Sequence, residues 1–382
     1  MTASPVALPL ALDPVAALPV PLGDQRLDTP AMLVDLDVAE ANIASMAAFA
    51  QRAGLQLRPH VKTHKSIAMA RRQRDAGAAG LCVATVSEAE VFAGAGIADV
   101  TLAYPVVGAR KLARLAQVCR AAPVTLVADS AAVVDGYAEV ARRAGRTLQV
   151  LVEVDTGMRR AGALPRAVPD LAGQVAKSAG LEFAGILTHA GQAHDAVGQL
   201  GIEQVARHEA AVMGDVRADL EQAGHEVRVV SAGSSLTSRY LTAADGITEI
   251  RPGTYVYNDL RTLACWSCTA EEIAVTMLAT VVSTGDGGAR VTVDAGSKTL
   301  TTTADPVYAH GHLAGRPDAT VTRLSEEHGV LTVTGPPPAV GDLVRILPVH
   351  VCVWSDLQPE VYGTRRGEIV ERIRVDAFRH SL

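Results

Sequence analysis

The sequence predicts an α/β chain: a (β/α)8 TIM barrel followed by a second, C-terminal all-β domain. Two observations carry this. From residue 55 onward, eight short runs rich in Val, Leu and Ile alternate with longer Ala- and Arg-rich stretches whose apolar residues recur every three or four positions. After about residue 262 the alternation stops and the chain reads as strands separated by turns.

In order, the runs are LQLRPHV (55–61), GLCVATV (80–86), DVTLAYP (99–105), VTLVADS (124–130), LQVLVEVD (148–155), FAGILTHA (183–190), EVRVVSAG (226–233) and ITEIRPGTYV (247–256). Parallel strands covered by helices are buried on both faces, so they read as near-continuous apolar runs. Between them lie stretches of helical spacing such as ARKLARLAQVCRAA and IEQVARHEAAVMGDVRADLEQAG. Eight such units over roughly 200 residues suit a closed barrel. A doubly wound sheet is the alternative, but no G-x-G-x-x-G follows an early run. The later segments IAVTMLATVVSTG, GARVTVDAG, VTRLSEEHGVLTVTG and DLVRILPVHVCVW, with turns at GDGG and GPPP, give the β domain. The expected organisation is an N-terminal arm (1–30), a barrel (31–262) and a β domain (263–382). AMLVDLD (31–37) precedes the eight runs and could pair with either domain.

Composition narrows the function classes. A formal net charge of −6, no long basic block and only 3% aromatic residues argue against a nucleic-acid partner. No apolar run reaches the roughly 18 residues that a membrane span needs. The apolar N-terminus lacks a basic start, carries Asp13 and is broken by prolines, so it reads as an irregular arm rather than a secretion signal. Five scattered cysteines suit a reducing cytoplasm better than a disulfide framework.

Lysine is scarce, 5 residues against 30 arginines, yet Lys62 and Lys65 stand together in KTHK at the end of the first run. Lysine can release its proton near neutral pH and arginine cannot. The pair suggests amine chemistry at one of the two, or two solvated loop lysines. Barrel chemistry sits at the C-terminal ends of the strands, with phosphate at the loops after the seventh and eighth. There, SAGSSLTS offers Gly233, Ser234 and Ser235, and RPGTY offers Gly253 and Thr254, small residues that let backbone N–H groups approach an anion. His350 and Cys352 are one residue apart and would share a face if on a strand, an imidazole and a thiol suited to zinc. Cys265-x-x-Cys268 has no second pair and reads as buried thiols in a connection. His189 reads as a cofactor contact or a polar strand end, and His328 as structural or near a metal. Tyr255 and Tyr257 alternate with Val256, so one face of that run looks inward.

Taken in order, DTPAMLVDLD, RPHVKTHKS, EVDTGMRRAG, LTHAG, SAGSS, EIRPGTYV, SEEHG and HVC resemble the D-serine dehydratase-like and D-threonine aldolase family, fold-type III pyridoxal-phosphate enzymes with an alanine racemase-like barrel. The resemblance runs from about residue 28 to residue 357. It implies that Lys62 joins pyridoxal 5'-phosphate as an imine. It further implies that Gly233, Ser234, Ser235, Gly253 and Thr254 hold the phosphate, with Arg160, His189 and Tyr255 as further cofactor contacts. Arg251 matches the position that faces the pyridine nitrogen in alanine racemases; a phosphate or structural contact is its other reading. His350 and Cys352 would hold a divalent metal beside the cofactor, zinc above all, with manganese or magnesium as alternatives.

The implied activity is a lyase acting on small D-β-hydroxy-α-amino acids. As a dehydratase it would release an oxo acid and ammonia. As an aldolase, with His60 or His64 assisting, it would release glycine and an aldehyde. The HxC pair resembles the dehydratases, while TLAYPVVGARKLARLA and VWSDLQPEVYG look more aldolase-like. A racemase and a non-catalytic pyridoxal-phosphate carrier fit less well: PHVKTHK and HVC speak against the racemase, and the long β domain against the carrier. The family also implies a homodimer.

Overall fold

The computed structural model describes residues 27–381, so most of the expected N-terminal arm, and with it the reading of that arm as no secretion signal, lies outside the described residues. Strand β1 (Ala31–Asp35) runs into helix Leu36–Arg52. Eight strands follow, one on each apolar run: β2 (Gln56–Leu57), β3 (Leu81–Val83), β4 (Val100–Leu102), β5 (Val124–Ala128), β6 (Leu148–Glu153), β7 (Leu181–Leu187), β8 (Val229–Ala232) and β9 (Glu249–Ile250). They form one parallel sheet in the order β2-β9-β8-β7-β6-β5-β4-β3. Its two ends meet at a parallel bridge between His60 and Cys82, where the Cys82 N–H donates to the Pro59 carbonyl at 2.8 Å.

Helical period explains the outer layer. Helix Ala131–Ala144 buries Val133, Val134, Tyr137, Val140, Ala141 and Ala144, an i, i+3/i+4 stripe. The fully buried Tyr137 ties this helix to the strand ends: its hydroxyl donates to the Val127 carbonyl at 2.8 Å and accepts the Val106 N–H at 2.9 Å.

The second sheet contains β10 (Val275–Gly285), β11 (Arg290–Val293), β12 (Gly311–Leu313), β13 (Arg316–Leu324), β14 (Gly329–Val333), β15 (Leu343–Pro348), β16 (Glu360–Arg365) and β17 (Glu368–Arg374), together with β1. The order β11-β14-β13-β12-β15-β10, closed by pairing of β11 with β10, makes a six-stranded antiparallel barrel, extended from β10 by β1, β16 and β17. A bulge between Val281 and Ser283 lets β10 serve both parts.

Three expectations need correction. Residues 31–35 are not a barrel strand: β1 pairs antiparallel with β10 and parallel with β16. Accordingly one compact unit takes the chain up to Asn42 together with Thr254–Phe378, and the other takes Ile43–Gly253 with the residues after Phe378. The boundary expected at residue 262 falls inside the first of these, because Thr254–Val256 is already a turn of 3-10 helix. The alternation argued for Tyr255 and Tyr257 fails for the same reason: β9 has ended, and Tyr255, Val256 and Tyr257 are all buried.

Tyr137→Phe strands one buried N–H and one carbonyl without replacing either partner. Chemical denaturation should show a loss of about 1–3 kcal/mol, and a variant as stable as the parent would show that water replaces the hydroxyl.

Candidate active site

The chain leaves β2 through Arg58, Pro59 and His60 and enters a single 3-10 turn, Val61–Thr63. His60 caps that turn: its Nδ1 accepts the Lys62 N–H at 3.3 Å. That bond requires an unprotonated Nδ1. Lys65 goes elsewhere. It adopts a positive φ of 49°, and its amine sits 3.4 Å from Glu88 Oε1, with both side chains buried. The two lysines left open by the sequence are thus separated: Lys65 is committed to a buried ion pair, and Lys62 keeps partial exposure at the strand end.

Around Lys62 the barrel gathers positive charge. Burial, then Lys62, His189, Arg251 and Arg160, push the His60 imidazole well below its ordinary value. Burial and Lys62, Arg251, Arg160 and His194 push His189 down to about 3. Both rings are therefore neutral at pH 7, mainly because they are buried, and Lys62, Arg251 and Arg160 add to the effect. A doubly charged phosphate relieves the positive charge gathered here, so this set of donors fits pyridoxal phosphate. The sequence-predicted residues Lys62, His60, His189, Arg160 and Arg251 are brought together, although Arg160 itself is exposed. His64 is not: its Nδ1 accepts the Ser66 N–H at 3.0 Å and its Nε2 meets Gln73 Oε1 at 3.1 Å. It holds the shape of its own segment.

The two glycine–serine turns are joined. The Gly253 N–H donates to Ser235 Oγ at 3.1 Å, and a Cβ on Gly253 would lie 3.0 Å from the His60 carbonyl oxygen. Gly233 has φ +79°, and a Cβ there would come within 2.8 Å of Ser238 Oγ. Gly233 requires glycine, while Gly253 leaves only tight room for a larger residue. The Gly233 N–H donates at 3.0 Å to Glu209, a fully buried carboxyl that the sequence reading missed. The Ser234 N–H goes to Thr237 Oγ1 at 2.9 Å. These bonds fix the turns.

Other missed residues are charges inside apolar strand runs. Arg58 Nε meets Glu249 Oε2 at 2.6 Å, and Arg58 also pairs with Asp99 at 2.9 Å. Glu249 Oε1 accepts the Ser231 hydroxyl at 2.5 Å, and Ser231 Oγ in turn accepts from Arg251, whose other nitrogen donates to the Thr188 carbonyl. Glu153, at the end of β6, is buried with Oε2 unpartnered, and burial pushes its carboxyl up against the pull of Arg251 and Arg160. A charged residue inside an otherwise apolar strand was the available signal, since burying a charge is costly unless a partner awaits it.

In the β unit, the HVC pair is not on a strand. β15 ends at Pro348, and His350 is the extended N-cap of helix Val351–Leu357, with Cys352 in its first turn. The expected same-face geometry of a strand therefore does not apply. Buried Asp259 fixes the start of this helix by accepting the Val351 N–H at 3.1 Å, and the same oxygen lies 3.7 Å from His350 Nδ1. Cys352 Sγ is 3.8 Å from Thr254 Oγ1. Among the described residues no group of three or more His, Cys, Asp and Glu side chains converges on a metal position. An imidazole and a thiol suit a borderline ion by their chemistry, with other ligands supplied from outside this pair. Cys265 and Cys268 are free thiols raised by burial, Cys268 to about 12 and bonded to Thr262 Oγ1 at 3.5 Å, as a buried connection requires. His328 is exposed between β13 and β14.

Burial pushes His64 from 6.5 down to about 4. The unfolded chain takes up a proton there that the folded chain refuses, so the stabilising contribution present above pH 6.5 is lost as pH falls toward about 4. Denaturation at a series of pH values should show this decline, and His64→Gln should flatten it while lowering stability at pH 7. An equal decline in the variant would assign it to other groups.

Comparison with known proteins agrees with this architecture. The family "Alanine racemase, N-terminal domain" matches residues 34–260, and the "Putative serine dehydratase domain" matches residues 274–364. The chain is 34% identical to the D-threo-3-hydroxyaspartate dehydratase of Delftia sp. (strain HT23), covering 85% of this chain and 91% of that one. The crystal structure of D-threonine aldolase from Filomicrobium marinum superposes with a TM-score of 0.87 at 31% identity, over 96% of this chain and 100% of that one. A cysteine-to-alanine mutant of D-threo-3-hydroxyaspartate dehydratase, in the metal-free form, matches with a TM-score of 0.84 at 31% identity, over 91% and 97%. The chain thus belongs to the fold-type III pyridoxal-phosphate family in which an alanine racemase N-terminal domain is joined to a serine dehydratase-type domain.

Proposed function

We propose that this protein is a pyridoxal-phosphate- and divalent-metal-dependent lyase of D-β-hydroxy-α-amino acids, working as a dehydratase. The observation that carries the reading is Lys62: a partly accessible amine at a barrel strand end, set among neutral imidazoles and arginines whose field favours a phosphate. Bound pyridoxal phosphate supplies an electron sink for charge at the substrate Cα. Lys62 Nζ would hold the cofactor at rest, and as the free amine it would be the group that takes the proton from the substrate Cα. Ser234, Ser235, Gly233, Gly253 and Thr254 hold the phosphate, with Tyr255 and Arg160 as further contacts, and the unprotonated His60 and His189 border the ring. Arg251, whose N–H groups donate to Ser231 and Thr188, would be the group that faces the ring nitrogen. His350 and Cys352 would hold the divalent ion, zinc above all with manganese or magnesium as alternatives, which supplies Lewis-acid polarisation of the β-hydroxyl.

The dehydratase reading is preferred because the HxC pair resembles that of the dehydratases. The second reading is a D-threonine aldolase, supported by the fold likeness to such an enzyme, in which neutral His60 is the base that takes the hydroxyl proton. The same reading places the enzyme in the cytoplasm, where its five free cysteines stay reduced, and expects a homodimer. No helix among the described residues is long and apolar enough to cross a membrane.

Borohydride treatment of the reconstituted protein should fix the cofactor on Lys62, and Lys62→Ala should abolish turnover while the protein stays folded. Label on Lys65 would remove the basis of the mechanism. Incubation with D-serine and D-threonine separately should give more oxo acid and ammonia than glycine and aldehyde, and a chelator should stop turnover while leaving the cofactor's visible absorption. Dominant glycine would promote the aldolase, and turnover indifferent to chelation would reduce the HVC pair to a structural feature.

A further inference from the structure

The side chains of Arg58, Glu249, Ser231 and Arg251 form a continuous buried chain, and the exposed Asp99 carboxylate pairs with Arg58 at its outer end. Ser231 and Glu249 face each other in the β8–β9 ladder, so the 2.5 Å bond between Ser231 Oγ and Glu249 Oε1 is set by the register. The Ser231 hydroxyl has a single proton. It donates that proton to Glu249 and can therefore only accept from Arg251, which fixes the direction of every bond along the chain. Arg58 is 7% exposed, Glu249 3%, Ser231 0% and Arg251 6%, so water does not compete for any of these groups. Charges alternate along it, and the Glu249 carboxylate is shared by Arg58 on one oxygen and Ser231 on the other.

We propose that Glu249, acting through the Ser231 hydroxyl, is the positioning residue that fixes the plane of the Arg251 guanidinium, with Arg58 as its counter-charge. This rests on the reading of Arg251 as the group that faces the ring nitrogen of the bound cofactor. Thr188 alone would leave the guanidinium free to turn about one bond; the second anchor on Ser231 removes that freedom. The remaining N–H groups then have one direction. A small angular error at such a group weakens its field at the ring while leaving substrate affinity nearly unchanged.

The test uses the holoenzyme reconstituted with pyridoxal phosphate. Glu249→Gln and Ser231→Ala should each shift the visible band of the bound cofactor in the direction that Arg251→Gln shifts it, and should lower kcat about ten- to a hundredfold with little change in KM. Adding Glu249→Gln to Arg251→Gln should shift the band no further, because the removed arginine has nothing left to position. If the Gln variant does not fold, Ser231→Ala, which removes one hydroxyl, carries the comparison. Spectra identical to wild type together with a lowered Tm would make the network purely structural and overturn the inference. A band that moves in Glu249→Gln but not in Arg251→Gln would break the link to Arg251. Absence of a visible band in the wild-type protein would overturn the cofactor reading itself, and this inference with it.

Discussion

The barrel depends on a buried ion pair across one of its shortest seams. β2 and β9 pair over two residues only, Gln56 with Glu249 and Leu57 with Ile250. Arg58 and Glu249 meet at 2.6 Å across that seam, and Arg58 also reaches Asp99 ahead of β4. Burial alone would ease the guanidinium toward neutrality, but the two carboxylates outweigh it and hold the charge more tightly than usual. Removing one partner of such a pair typically costs about 3–5 kcal/mol, because the other is left buried and unpaired. The pair holds together the strands that carry Lys62 on one side and Arg251 on the other.

The electrostatics around Lys62 follow from this arrangement. Burial first, and then the neighbouring Lys62, Arg251 and Arg160, keep the His60 and His189 imidazoles neutral. The result is a site whose positive potential awaits an anion and whose imidazoles are already in the form that can accept a proton. Lysine is used where neutrality must be reachable, and arginine where charge must persist. Lys65 obeys the same logic in reverse, paired to Glu88 so that its charge contributes to packing instead of to chemistry.

In the β unit one long strand does the organising. β10 pairs with β1 and β15 along its first half and with β11 along its second. That division is possible because the bulge turns the strand. The loop after β15 then breaks into a helix whose start is fixed by Asp259, and the same carboxylate lies close to the His350 imidazole.

Local pattern alone determined the repeating unit. The eight apolar runs were legible because a strand buried on both faces has no room for alternation, and each run does carry a strand. Lys62 stood out in the sequence because lysine is rare and the motif is specific, and the glycine–serine turns at Gly233 and Gly253 because they follow the seventh run and lie in the eighth. What the sequence left open was decided by contacts distant along the chain. Whether Ala31–Asp35 joined the barrel or the β sheet turned on β10 and β16, hundreds of residues away. Which of Lys62 and Lys65 stays accessible turned on Glu88. His350 and Cys352 left the strand because β15 ends at Pro348 and Asp259 starts a helix, which a two-residue period cannot foresee. The same holds for Arg58, Glu249 and Ser231: each is an isolated polar residue in its own run, and only closure of the barrel makes them one buried network.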